Sequence, residues 1–225
     1  MSHNQYEIKL LSIHLNYGIF LIVSACLLNA SAMGSSNSKK ADITREILEE
    51  YAHLTYLNKA EILHIFRLFK SLAPRELVEN FNHRLPAQDI LKVLPQLRHN
   101  PFRESIIQVF SSENDGRMSF EDLLDLCSAL SDKCPEDVRA GWAFRIFDFD
   151  GDNQLSIDDL IEAVERITGF DHNGRIRIDR NSAEFVAQAV LEELDLDQTG
   201  SVGLQEFVHT VVRMPEFGHT FRLNA

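Results

Sequence analysis

From Ile43 onward, apolar residues return at steps of three and four, the spacing of one face of an α-helix. Ile62, Leu63, Ile65, Phe66 and Phe69 form one such stripe, and Ile106, Ile107 and Phe110 a second. Ala140, Ala143, Phe144 and Phe147 form a third, and Ala187, Val190, Leu191 and Leu194 a fourth. Each is followed, across an intervening segment, by a further apolar position or run: Ile90, Leu91 and Val93, then Leu123, then Leu160 and Val164, then Phe207 and Val211. The alternation that marks strands is scarce. The pattern predicts an all-α body of four helix-loop-helix hands in two lobes, residues 33–130 and 131–225, behind a hydrophobic extension at 1–32.

The polar segments between paired stripes carry the chemistry. Hard divalent cations take oxygen ligands, and a twelve-residue EF-hand loop supplies them from positions 1, 3, 5, 7, 9 and 12, with a sharp turn at position 6. Asp148–Asp159 fits: Asp148, Asp150 and Asp152 at 1, 3 and 5, the Gln154 carbonyl at 7, Ser156 at 9 and Asp159 at 12. Asn153 replaces the usual glycine, and asparagine tolerates the left-handed backbone better than most residues. Aspartate at position 12 is one methylene short for bidentate contact, so Mg2+ should compete with Ca2+ there. Asp195–Glu206 also fits, with Asp195, Asp197, Thr199, the Ser201 carbonyl and Glu206 as ligands and Gly200 at the turn. Gly203 at position 9 leaves room for a water, and this loop should be the better calcium site.

Two upstream segments are weaker copies. Ser111–Asp122 keeps Glu113, Asp115, Gly116, Met118 and Ser119 but begins with serine, predicting a folded hand without useful affinity. Lys70–Asp89 is too long and carries Pro74 and Pro86, so it cannot make a standard site. Asp171-His172-Asn173-Gly174 reads as a linker.

The net charge of −12, without a basic stripe, argues against nucleic-acid binding and suits a cation-holding protein. Cys26, Cys127 and Cys134 form no CxxC pair and read as reduced thiols of a cytoplasmic protein. No HExxH, phosphate-cradling glycine loop or GxSxG points to an enzyme.

The N-terminus admits two readings. Ile19 to Leu28 with Ala30-Ser31-Ala32 resembles a secretory signal, which would place the protein outside the cell. Met33-Gly34-Ser35-Ser36-Asn37-Ser38 fits N-myristoylation at Gly34 if translation starts at Met33, giving a peripheral membrane attachment.

Over Met33–Ala225 the sequence resembles the calcium- and integrin-binding protein family. The resemblance rests on Glu50-Tyr51, Leu54-Thr55 and Lys59, on Asn100-Pro101-Phe102-Arg103, and on Ser119 to Asp122. It continues through Ala143 to Asp150, Glu192-Glu193, Asp195 to Asp197 and the tail from Pro215 to Phe221. It implies aspartate at position 12 of the third hand and a myristoylated start at Gly34. It also implies an adaptor for amphipathic helices from cytoplasmic tails of membrane proteins, such as integrin α-subunits or channel complexes; the chain itself is expected to be a monomer. The physical basis is an opened hand pair with an apolar groove. Met214 to Ala225, with Phe217 and Phe221, reads either as an occupant of that groove or as a plain terminal segment. A regulatory subunit of a phosphatase, kinase or exchanger, or a calcium buffer, are the alternatives.

Overall fold

The computed structural model describes residues 43–80, 82–169 and 174–213. The hydrophobic extension, Gly34, residues 171–173 of the expected linker and the Met214–Ala225 tail lie outside the described residues. The described chain divides into two units between Cys134 and Pro135.

The N-terminal unit runs α1 (Arg45–Leu54), α2 (Lys59–Leu72), α3 (Glu76–Glu79), β1 (Leu85–Pro86) and α4 (Ala87–Val93). A 3-10 turn over Pro95–His99 leads to α5 (Arg103–Phe110), β2 (Arg117–Met118) and α6 (Phe120–Ala129). Helix α2 starts where the sequence supplies a capping box. Asn58 Oδ1 accepts the Ala60 and Glu61 amides at 2.9 and 3.0 Å, and Glu61 accepts the Asn58 amide at 2.6 Å. Donors that a bare helix end would leave unsatisfied are thereby paired.

The apolar stripes meet around Phe120, whose ring lies 5.2 Å from Phe66 and 5.8 Å from both Tyr51 and Phe69, centroid to centroid. Burial of each such ring stabilises the unit by about 1.5–3 kcal/mol. Tyr51 Oη donates to Glu121 at 2.9 Å, so its polar end is satisfied. Burial, then this carboxylate, raise the phenol well above its ordinary pKa. Cys127 and Cys134 are both buried thiols.

The long first hand still completes a pair. Leu85 and Met118 are antiparallel partners, as are Pro86 and Arg117. Proline is tolerated because this two-residue ladder is all edge.

The C-terminal unit runs α7 (Glu136–Phe147), β3 (Gln154–Leu155), α8 (Ile157–Thr168), α9 (Arg180–Leu194), β4 (Val202–Gly203) and α10 (Leu204–Val211). Helix α8 packs on α9 and α7 on α10. Phe207 of α10 sits 5.7 Å from Phe144 and 6.5 Å from Phe147, ring to ring. Leu155 pairs with Val202 and Gln154 with Gly203, and both Leu155 and Val202 are fully buried. The eighth residues of two loops thus form the hinge pin between two sites, as the spacing predicts. Among the described residues, no helix is long and apolar enough to cross a membrane.

Candidate metal centre

The third loop bends where its sequence allows. Gly151 and Asn153, at positions 4 and 6, have φ of 74° and 66°. In the fourth loop Gln198 and Gly200 take φ of 60° and 92°, and in the second loop Asn114 and Gly116 take 53° and 70°. Three loops therefore share left-handed residues at the same two positions, and only glycine or a tolerant polar residue fills them.

These bends turn loop amides inward onto the first aspartate. Asp148 accepts the Gly151, Asp152 and Asn153 amides at 2.9, 3.1 and 3.0 Å. Asp195 accepts Thr199 and Gly200 at 3.0 and 2.8 Å. So anchored, the carboxylates converge. One oxygen each of Asp148, Asp150 and Asp152 lies within 4.8 Å of the others, and Asp195, Asp197 and Glu206 form an equivalent group.

Among the described residues, no arginine or lysine forms a salt bridge with these six carboxylates. Burial above all, and the charge of Asp152, raise the Asp148 carboxyl despite its three backbone donors. All-oxygen donors, gathered close with their charge uncompensated, fit a hard divalent cation.

The twelfth residues divide the two sites. Glu206 accepts the Leu196 and Asp197 amides on one oxygen, at 3.0 and 3.2 Å, and the Gly203 amide on the other at 2.9 Å. It still reaches its aspartates. Asp159 accepts the Phe149 amide on one oxygen at 3.0 Å and the Ser156 amide on the other at 2.9 Å. It is buried and lies outside the three-carboxylate group. One methylene accounts for the difference.

Ser156 Oγ donates to Asp159 at 2.6 Å and accepts the Asp159 amide, capping α8. Thr199 Oγ1 donates to the Ser201 carbonyl at 3.2 Å, so two expected ligand atoms touch each other. The Gln154 and Ser201 side chains join the loops, Ser201 Oγ donating to Gln154 Oε1 at 3.1 Å.

The second hand holds a residue that the sequence reading passes over. Arg84, the residue before Leu85 of β1, extends its guanidinium into the Ser111–Asp122 loop. Its Nη1 donates to Asp122 at 3.0 Å and Ser112 at 2.6 Å. Its Nη2 donates to Ser111 Oγ at 3.0 Å, Asp115 at 2.9 Å and the Arg117 carbonyl at 2.8 Å. No single loop of the sequence signals it; the pairing of Leu85 with Met118 aims the preceding side chain across the ladder.

A family model for an EF-hand domain pair matches residues 137–211. The chain is 32% identical over 190 residues to calcium and integrin-binding family member 2 of Rattus norvegicus, covering 83% of this chain and 98% of the relative. It is equally similar, with the same coverage, to member 3 of Homo sapiens. Against member 2 of Drosophila melanogaster, identity is 32% over 192 residues, again 98% of the relative.

Proposed function

This chain belongs to the calcium and integrin-binding family, and on that footing we propose a calcium-binding adaptor whose metal sites are the third and fourth hands. The observation that carries it is the convergence of two carboxylate groups on loops joined through Leu155 and Val202. Calcium occupies Asp195, Asp197, Thr199, the Ser201 carbonyl and Glu206. Asp148, Asp150, Asp152, the Gln154 carbonyl, Ser156 and Asp159 form the weaker site, Asp159 acting through a water or after rearrangement. Magnesium competes there, because a small octahedral ion needs fewer protein oxygens.

The partner is an amphipathic helix from the cytoplasmic tail of a membrane protein, integrin α-subunits among them. A groove of about 450 Å³ in the N-terminal unit supports this reading. Ile47, Leu54 and Leu124 line it, Leu54 being 73% exposed, together with the acidic Glu50, Glu121 and Asp125. Burial, and the charges of Asp122 and Glu121, raise the Asp125 carboxyl. Such a groove favours a helix with one apolar face and basic flanks. The protein works in the cytoplasm at membranes, with a myristoyl chain on Gly34 in a form starting at Met33 adding a reversible anchor.

Calorimetric titration of calcium into the full chain, with and without millimolar magnesium, tests the sites. Two sites are expected, with Asp195→Ala and Asp148→Ala each removing one and magnesium weakening only the latter. No calcium heat at either loop would overturn the reading. Binding of a basic amphipathic tail helix that Leu54→Asp does not weaken would remove the groove from it.

A further inference from the structure

Arg84 is held by the same loop positions that hold an ion elsewhere. Ser111, Asp115, the Arg117 carbonyl and Asp122 stand at positions 1, 5, 7 and 12 of the second loop, and all four accept from its guanidinium. Glu113, at position 3, approaches Nε at 3.8 Å. Five of the six positions that ligate a cation in an EF-hand therefore face one organic cation. The Arg84 side chain is only 13% exposed, and that of Asp122 only 7%.

The delivery route is built into the strand pair. In the C-terminal unit the eighth residues Leu155 and Val202 are partners, and the position-7 side chain of Gln154 meets the neighbouring loop. In the N-terminal unit Leu85 pairs with Met118, which places Arg84 at the position-7 counterpart of the first hand. From there it reaches the neighbouring loop as Gln154 does, but carries a charge. The return contact is Arg117 Nη2 to the Arg84 carbonyl at 2.9 Å. The loss of metal geometry in the long first hand and the occupied second hand are then one arrangement: the first loop contributes the cation and the second the cage.

We propose that the second hand is a cation site filled from within the chain, Arg84 taking the place of the metal so that the N-terminal pair keeps its loop geometry whether or not calcium is present. Planar, delocalised guanidinium suits this role better than an ammonium, because its fork satisfies several acceptors at once. The consequence is a division of labour between units. Metal concentration is read only by the third and fourth loops, and the N-terminal pair is a constant scaffold.

The test follows backbone amides of Gly116 and Met118 by NMR in the full chain. In the unmodified protein these signals should stay in place between EDTA and millimolar calcium or magnesium, with slow hydrogen exchange in both. Arg84→Met should speed exchange across the Leu85–Met118 pair at least tenfold. Adding Asp122→Asn to that variant should recover part of the loss, because the cage no longer needs a cation. Calcium-dependent shifts of Gly116 in the unmodified chain would overturn the proposal, as would unchanged exchange in Arg84→Met. Should Arg84→Met fail to fold, the Arg84 guanidinium protons of the unmodified chain decide. Slow exchange with solvent in EDTA and in calcium alike supports the internal cation, and rapid exchange in EDTA refutes it.

Discussion

The Phe149 amide donates to the Asp159 carboxylate at 3.0 Å, the same tether that Leu196 makes to Glu206 at 3.0 Å one hand later. The twelfth residue of each loop therefore ties back the residue after the first ligand. Glutamate does this and still reaches the aspartates, whereas aspartate does it and stops short. Asp159→Glu should convert the third hand to the geometry of the fourth. Calcium affinity at that site should rise on the order of tenfold or more, and magnesium competition should fall. Calorimetry with and without magnesium measures both, and an unchanged calcium affinity would show that residue 159 does not set it.

Asn153 carries a left-handed backbone at φ 66°, the conformation that its position in the loop requires. An ordinary side chain there costs about 1–2 kcal/mol. Asn153→Ala should therefore destabilise the C-terminal unit by about 1 kcal/mol, while Asn153→Gly should be neutral within about 0.5 kcal/mol. Urea melts of the full chain in calcium check this, and equal losses for the two variants would point to the asparagine side chain instead of its backbone.

The stripes ending at Phe147 and Leu194 make the two C-terminal entering helices and both loops legible, since each loop is contiguous and its ligands are spaced by backbone geometry alone. The Leu155–Val202 pairing follows from the same template. Asp159 is legible as a short ligand, yet its capture by Phe149 and Ser156 is not, because capping and ligation compete for the same carboxylate. Arg84 is hidden for a different reason. It lies 27 residues before Ser111, and only the β1–β2 register brings them together. A template that reads one loop at a time has no place for a ligand, or a cation, supplied by its neighbour. Helix α1 enters the sequence reading only through the resemblance carried by Glu50-Tyr51, and the Tyr51–Glu121 hydrogen bond that docks it is a long-range fact.

Asp115 gives the N-terminal unit an acid signature. The Arg117 amide first, then Arg84, hold its carboxyl down to about 2. A carboxylate with a depressed folded-state pKa stabilises above its unfolded pKa and loses that contribution as pH falls through the folded value. The stability gap between the unmodified chain and Asp115→Asn should be full above about pH 5 and close between there and about pH 2. Denaturant melts across that range, followed at the amides of the N-terminal unit, check the sign. A gap that stayed constant on acidification would mean that Asp115 contributes through its hydrogen-bond geometry and not its charge.

Phe120 tests which contacts hold that unit. It is 1% exposed and touches the rings of Tyr51, Phe66 and Phe69, which come from both α1 and α2. Phe120→Ala should cost about 3–5 kcal/mol, the range for removing a buried ring whose neighbours collapse only in part. The loss should be the same in EDTA and in calcium, since the cluster is built from residues of the N-terminal unit and the third and fourth loops belong to the other unit. A calcium-dependent loss would mean that the two units are coupled energetically.

Glu206 joins tether and ligand in one side chain, and a neutral isostere weakens the two unequally. In Glu206→Gln the carbonyl oxygen keeps the backbone amides on its side, while the –NH2 group turns donors on the remaining amide and on Asp195 and Asp197, so part of the tether is lost along with the anionic ligand. The fold of α10 should survive in EDTA, because Phe207 and its contacts with Phe144 and Phe147 are untouched. Calcium should then titrate one site fewer. A ligand present at about 100 times its Kd stabilises the state it binds by about 2.7 kcal/mol, so that much calcium-linked stability of the C-terminal unit should vanish at such a concentration. Melts in EDTA and calcium measure the two parts independently. A variant that kept its full calcium-linked stability would remove Glu206 from the ligand set, and one already unfolded in EDTA would make the amide tether its main role.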